Sequence, residues 1–226
     1  MAGTLYIVAT PIGNLEDLTF RALRILKEVN LILAEDTRVT RKLLEHYEIK
    51  TPVTSYHEWT APGKLRALIE QLAEGQNLAL VTDAGTPAVS DPGAHFVAEL
   101  VRAIGSDAKV VPIPGVSAVT ALLSVSGLPA DSFAFFGFPP HKKGRNGFWK
   151  EVAACPLTAV FYESPHRVEK AMVELKANLA PERKLVIGRE LTKMFESVRR
   201  GTVAEAEELL KTEPIKGEYV IAVGTQ

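Results

Sequence analysis

The chain has 226 residues, 46% of them hydrophobic and 23% charged, the balance of a folded globular protein rather than a disordered one. A net charge of −1 excludes a uniformly basic chain, and a single cysteine excludes an internal disulfide or a cysteine-based zinc cluster. No apolar run approaches the roughly 20 residues that span a bilayer, and residues 1–5 lack the basic and apolar regions of a secretory leader, so a cytoplasmic protein is expected.

The first half alternates short apolar runs with amphipathic patterns. Residues 5–9 read as a buried strand, and Leu18, Ala22, Ile25, Leu26 and Val29 follow helical spacing. Residues 31–34 form a second strand. A helix carrying Leu43 and Leu44 follows, then a short strand near Val53. Leu65, Leu68, Ile69 and Leu72 mark a further helix that stops at Gly75. Residues 78–81 are the next strand. Asp91-Pro92 opens a helix, with Asp as cap and Pro in the first turn, and Val97, Leu100, Val101 and Ile104 form its inner face. Residues 109–111 make another strand. Strands without polar alternation, separated by helices, predict a parallel, doubly wound sheet covered on both faces.

Val111-Pro112-Ile113-Pro114-Gly115 breaks this rhythm, and a boundary here divides the chain into an N-terminal α/β domain, 1–113, and a C-terminal one, 114–226. The second half opens with a helix over 117–125 and an aromatic strand containing Phe133, Phe135 and Phe138. A strand over 157–162 precedes a helix whose start is marked by Ser164-Pro165. Strands follow at 184–188 and 197–201, then a helix opened by the capping-box pattern Thr202-Val203-Ala204-Glu205, then a strand at 218–223. Close spacing predicts a mixed sheet, so the whole is a bilobal α/β protein.

In a parallel sheet, ligands bind outside the carboxyl ends of the strands. The residues there are Thr10-Pro11-Ile12-Gly13-Asn14, Glu35-Asp36-Thr37-Arg38, Thr82-Asp83-Ala84-Gly85-Thr86-Pro87 and Pro114-Gly115-Val116-Ser117-Ala118. Small, rigid loops let a ligand approach the backbone closely. Neither G-x-G-x-x-G nor G-x-x-x-x-G-K-[ST] occurs, which argues against a dinucleotide or nucleoside triphosphate. The loops suit a nucleoside without phosphates, such as S-adenosylmethionine, and each read singly is also an ordinary turn.

The polar candidates carry two readings each. Asp36 is a base or orienting group for a hydroxyl, or the N-cap of the next helix. Asp83 holds a ligand ammonium or bonds to its own turn. His57-Glu58 reads as a surface pair. Ser164 reads as a helix cap, with Glu163, His166 and Arg167 available to a cleft. Phe133, Phe135, Phe136 and Phe138 read as core ahead of base-stacking platforms. Basic residues cluster at His141, Lys142, Lys143 and Arg145, at Arg199-Arg200 and at Arg38, Arg41 and Lys42, as a solvated face or an RNA footprint. No metal-ligand cluster stands out.

Several segments together resemble the bacterial ribosomal RNA small subunit methyltransferase I family, within the tetrapyrrole methylase fold group. They are Val8-Ala9-Thr10-Pro11-Ile12-Gly13-Asn14-Leu15, Ala34-Glu35-Asp36-Thr37-Arg38, Asp83-Ala84-Gly85-Thr86-Pro87, Pro112-Ile113-Pro114-Gly115, Tyr162-Glu163-Ser164-Pro165-His166-Arg167 and Arg189-Glu190-Leu191-Thr192-Lys193. The resemblance runs over nearly the whole chain. It implies S-adenosyl-L-methionine bound between two lobes, homodimerisation and 2′-O-methylation of a cytidine at the decoding centre of 16S ribosomal RNA, free or in the small subunit. By motif position it implies cofactor contacts from Pro11, Gly85, Thr86, Pro87, Val89, Ser117 and Ala118, with Phe161 or Tyr162 from the second lobe. Relatives commonly continue into a small C-terminal extension, whereas this sequence ends directly after its last expected strand. A short natural version or a truncated chain is expected from that, bearing on RNA affinity more than on cofactor binding.

Transfer of methyl from a sulfonium to a ribose oxygen needs alignment and a base, and no metal. Asp36 and Glu163 are the competing candidates for the base, Arg38, Arg167 and Lys193 for positioning phosphate, and Lys142, Lys143 and Arg145 for an RNA-contacting loop. The alternatives are a same-fold methyltransferase acting on a tetrapyrrole or other small molecule, a non-catalytic RNA-binding assembly factor, and a generic nucleotide-binding enzyme, which the missing phosphate loops count against.

Overall fold

A computed structural model describes residues 1–57, 59–91, 93–211 and 214–225. Glu58 and Pro92, named above in a surface pair and a helix start, lie outside the described residues. The chain separates into two compact units, Met1–Ser117 and Ala118–Gln226.

The first unit runs β1 (Thr4–Val8), α1 (Phe20–Glu28), β2 (Leu31–Ala34), α2 (Thr37–His46), β3 (Val53–Ser55), α3 (Pro62–Ala73), β4 (Leu78–Val81), α4 (Gly93–Ile104) and β5 (Lys109–Ile113). The strands form one sheet in the order β3-β2-β4-β1-β5, parallel throughout. Each central strand is apolar on both sides because both faces are covered. On one face Val8, Ile32, Ala34, Ala79 and Val81 pack with Ala22, Ile25 and Leu26 of α1 and Leu44 of α2. On the other, Leu5, Leu33, Leu78 and Leu80 pack with Leu65, Leu68 and Leu72 of α3 and Phe96 and Leu100 of α4. Burying each Val, Leu, Ile or Phe side chain among these contributes about 1.5–3 kcal/mol. The inner face of α4 carries the expected Val97, Leu100 and Ile104 together with Phe96, while Val101 is exposed.

The topology places a crevice. From β1 the chain leaves along α1 on one face; from β4, the neighbouring strand, it leaves along α4 on the other. The loops after β1 and β4 thus diverge, which is the switch-point arrangement that opens a ligand site outside the strand ends.

The second unit runs α5 (Ala118–Ser126), β6 (Phe133–Phe135), α6 (Arg145–Ala154), β7 (Thr158–Glu163), α7 (Val168–Asn178), β8 (Lys184–Arg189), β9 (Ser197–Thr202), α8 (Ala206–Lys211) and β10 (Tyr219–Val223). Its sheet is mixed, in the order β6-β7-β10-β8-β9, with β6 parallel to β7 and the other pairs antiparallel. One face carries the core: Ala159, Phe161, Leu185, Ile187, Tyr219, Ile221 and Val223 pack against Phe148, Trp149 and Val152 of α6, Met172 and Leu175 of α7, and Ala206 and Leu210 of α8. The Ser164 hydroxyl does not cap α7. It accepts from Arg167 Nε at 3.2 Å, while the Ser164 carbonyl takes the N–H groups of Arg167 and Val168. The Glu205 carboxylate accepts from the Thr202 N–H at 2.8 Å, the half of the capping box that faces the chain's own backbone.

Candidate active site

The loops after β1 and β4 are joined at the crevice. Thr10 N–H donates to the Gly85 carbonyl at 2.9 Å and Gly85 N–H returns to the Thr10 carbonyl at 3.0 Å, a two-residue antiparallel bridge outside the parallel sheet. The buried Thr10 hydroxyl donates to the Thr82 carbonyl at 3.0 Å. Gly85 sits at φ +84°, a conformation that L side chains rarely adopt. The segment after β5 closes in from the third side: a Cβ on Gly115 would lie 2.8 Å from the Ala9 Cβ, so only glycine lets these two loops touch.

The loop after β4 holds further strain. Ala88 (φ 69°) and Ser90 (φ 58°) are non-glycine residues in the left-handed region, a cost that persists where surrounding structure enforces it. Pro11, Gly85 and Pro87 are buried, Thr86 is half-buried and Val89 is exposed. Ser117 and Ala118, at the end of one unit and the start of the next, are half-buried.

Carboxylates dominate the electrostatics. The loops at this edge carry Glu35, Asp36, Asp83 and Asp91, and the segments 9–14, 82–91 and 113–117 contain no lysine or arginine. The Thr82 hydroxyl lies between Glu35 Oε2, at 2.9 Å, and Asp91 Oδ2. Burial, with the charges of Asp91 and Asp83, pushes the Glu35 carboxyl above its ordinary range. Burial and the charges of Asp36 and Asp91 likewise raise Asp83, whose Oδ1 accepts from the Asp36 N–H at 3.1 Å. Sequence reading passed over the Glu35–Thr82–Asp91 cluster; the signal was Glu35 standing directly after a fully apolar strand.

Asp36 resolves to the capping reading. Its carboxylate caps α2, accepting from Arg38 N–H at 2.8 Å, and a fork from the Arg38 guanidinium holds it. These bonds lower its pKa to about 2, so it is a poor acceptor for a hydroxyl proton at neutral pH.

Other candidates are placed differently from expectation. Glu163 ends β7 with its side chain fully buried and paired with Arg167 at 2.8 Å. Arg145 is not on the exposed loop: Gly144 (φ +88°) turns the chain inward, and Arg145 opens α6 at 4% exposure, bound to Glu174. The Phe161 side chain belongs to the core, whereas Tyr162 points to the opposite face and packs on Phe135 and Phe138. Of the phenylalanines read as core, Phe136 packs against it, while Phe133 and Phe138 are exposed. Arg167 is half-buried, Lys193 is clamped by Glu190 at 2.8 Å and Glu218 at 2.9 Å, and Arg38, Lys142 and Lys143 are exposed.

Among the described residues no group of three or more His, Cys, Asp or Glu side chains is arranged to hold a metal ion. No helix there is long and apolar enough to cross a membrane.

The acidic crevice, whose segments 9–14, 82–91 and 113–117 carry no lysine or arginine and whose neighbouring Arg38 is paired with Asp36, suits a positively charged nucleoside, which is what S-adenosylmethionine is. Comparison with known proteins agrees. The family model of tetrapyrrole (corrin/porphyrin) methylases matches residues 4–207. A ribosomal RNA small subunit methyltransferase I from Halalkalibacterium halodurans is 49% identical over 98% of this chain and 75% of its own, and one from Pseudomonas aeruginosa is 43% identical over 98% and 79%. Among solved structures, a cobalt precorrin-4 methyltransferase aligns with a TM-score of 0.72 at 21% identity, over 98% of this chain and 94% of that one. A Thermus thermophilus uroporphyrin-III C-methyltransferase complexed with S-adenosylhomocysteine aligns with a TM-score of 0.62 at 22% identity, over 98% and 97%. Glycine- and proline-built loops at a switch point, sequence identity near one half and a shared fold thus converge: the chain belongs to the ribosomal RNA small subunit methyltransferase I family of S-adenosylmethionine-dependent tetrapyrrole-methylase-fold methyltransferases.

Proposed function

We propose that this protein methylates the ribose 2′-hydroxyl of a cytidine in the decoding centre of 16S ribosomal RNA, acting on the small subunit or its RNA. The observation that carries the reading is the 43–49% identity, over nearly the whole chain, to relatives named for methylation of small-subunit ribosomal RNA. The tetrapyrrole enzymes share the fold at 21–22% identity and do not set the substrate. Exposed Lys142 and Lys143, with Arg38, suit phosphate contacts.

S-Adenosylmethionine supplies a methyl group on a cationic sulfur. The protein's part is positional and electrostatic. Pro11, Gly85, Thr86 and Pro87 hold the nucleoside against rigid backbone, and the surrounding carboxylates favour the cation. Asp83, exposed and with its carboxyl raised above its ordinary range by burial and the neighbouring carboxylates, takes the hydroxyl proton in preference to Asp36. The resemblance also carries homodimerisation, which sedimentation tests.

The test is transfer from labelled cofactor to small subunits from cells lacking the modification, followed by nucleoside analysis. A 2′-O-methylcytidine supports the reading; no transfer with cofactor bound overturns it. Asp83→Asn should slow single-turnover transfer by about 10²-fold, and Asp36→Asn should leave it unchanged.

A further inference from the structure

Glu163 is buried, charged and unused by the chemistry above. A carboxylate with no exposed side-chain surface is costly to maintain unless opposing charges and hydrogen bonds hold it. Here its Oε1 accepts from the Ser164 N–H at 2.8 Å and pairs with Arg167 Nη2 at 2.8 Å, and Oε2 faces Arg145 Nη2 at 3.8 Å. Both guanidiniums spend a further N–H on the same stretch of chain. Arg167 Nη1 donates to the Pro139 carbonyl at 3.0 Å, and Arg145 Nη1 donates to the Pro140 carbonyl at 3.0 Å. Arg145 is fixed from behind by Glu174, which also accepts from Trp149 Nε1 at 3.0 Å.

These carbonyls belong to the segment that presents His141, Lys142 and Lys143. It leaves the sheet at Gly137, whose carbonyl accepts from the Tyr162 N–H at 2.8 Å, and re-enters regular structure at α6, where Phe148 N–H reaches the Gly144 carbonyl at 3.0 Å. Between these anchors, Arg167 and Arg145 tether the Pro139 and Pro140 carbonyls to the protein interior, and the Lys142 carbonyl accepts from the Arg145 N–H at 3.3 Å. The consecutive prolines limit the backbone further by fixing φ.

We propose that Glu163 is a positioning residue: its buried carboxylate holds Arg167 in a 2.8 Å ion pair and faces Arg145, which Glu174 holds; the two arginines hold the carbonyls of Pro139 and Pro140, and the basic segment 141–143 is thereby fixed for RNA. The inference rests on the reading of Lys142 and Lys143 as RNA contacts and explains how a short loop presents its charges in one arrangement. Preorganisation of this kind raises affinity by removing the ordering cost from the binding step.

The experiment compares the wild-type protein with Glu163→Gln and, since a buried charge change can impair folding, with Arg167→Lys, which keeps the positive charge but loses the planar fork. Peptide-resolved amide hydrogen exchange is read without RNA, and small-subunit methylation is read as KM and kcat. In each variant exchange should rise roughly 10-fold at the amides of Arg145 and Phe148, which close the segment onto the Lys142 and Gly144 carbonyls, with β7 and β10 unchanged, and the RNA KM should rise several-fold with kcat within about twofold. Exchange unchanged at Arg145 and Phe148, or raised equally across the unit, overturns the proposal. So does a fall in kcat at constant KM, which would return Glu163 to the chemistry. If the wild-type protein fails to methylate the subunit, the functional reading fails; the exchange result still decides the positioning role.

Discussion

Thr10 and Gly85 are locked to one another by reciprocal backbone hydrogen bonds of 2.9 and 3.0 Å, although 75 residues separate them. The bridge joins the loops that leave the two central strands on opposite faces, so it sets the width of the crevice. A methyl group on Gly85 would meet Ile12 Cγ2 at 3.5 Å, an ordinary contact. Space is available; the penalty is the left-handed backbone, about 1–2 kcal/mol for a residue with a Cβ. Gly85→Ala should therefore weaken S-adenosylmethionine binding by roughly 10-fold in calorimetry, with the fold retained. Unchanged affinity would remove this loop from the cofactor site.

Glu35 makes a prediction about pH. Its folded-state pKa is raised above 4.5, chiefly by burial, so the folded protein holds a proton that the unfolded chain has released. Stability falls as pH rises from the unfolded value through the raised folded one, and the charged form at neutral pH carries that penalty. Glu35→Gln should consequently compare more favourably with wild type in melting temperature at pH 7 than at pH 4. A difference independent of pH would show that the carboxyl is not perturbed.

The parallel sheet was legible because runs such as Leu78-Ala79-Leu80-Val81 are apolar on both sides, which happens where helices cover both faces. The crevice was legible from the glycines and prolines that follow those runs. Arg145 was not: in sequence it is one more member of a basic cluster, and its partner Glu174 lies 29 positions away. Glu163 was misread for the same reason, since burial of a polar strand end depends on elements that arrive later in the chain. On α4 the expected Val97, Leu100 and Ile104 do face the core, but Val101 does not and Phe96 was passed over, because the aliphatic residues alone were followed.

Lys142 and Lys143 are exposed at the tip that the two arginines brace. Each lysine at an RNA phosphate releases counterions on binding, and for single strands each contact steepens the dependence of log affinity on log salt by about 0.7. Replacing both with alanine should lower the magnitude of that slope by about 1.4, and cofactor affinity should not move. Filter binding across a salt series measures both the slope and the intercept. An unchanged slope would move the RNA contacts elsewhere on the surface.

Arg183 is a buried arginine whose guanidinium bonds to backbone carbonyls. At 3% exposure it donates to the Gly224 carbonyl from Nε at 3.0 Å and Nη2 at 2.7 Å, and to the Ala153 carbonyl from Nη1 at 3.1 Å. It ties the end of α6 to the residue after β10, joining a helix to the central strand it covers. Burial lowers its pKa from the usual guanidinium value, although the charge persists at neutral pH. Arg183→Met keeps much of the apolar volume but leaves these carbonyls buried without donors, a cost on the order of 2–5 kcal/mol. Arg183→Lys reaches fewer carbonyls and should fall between. Urea denaturation followed by tryptophan fluorescence reads the loss through Trp149, buried in the same unit. A Met variant as stable as wild type would mean that water, and not the guanidinium, can satisfy these groups.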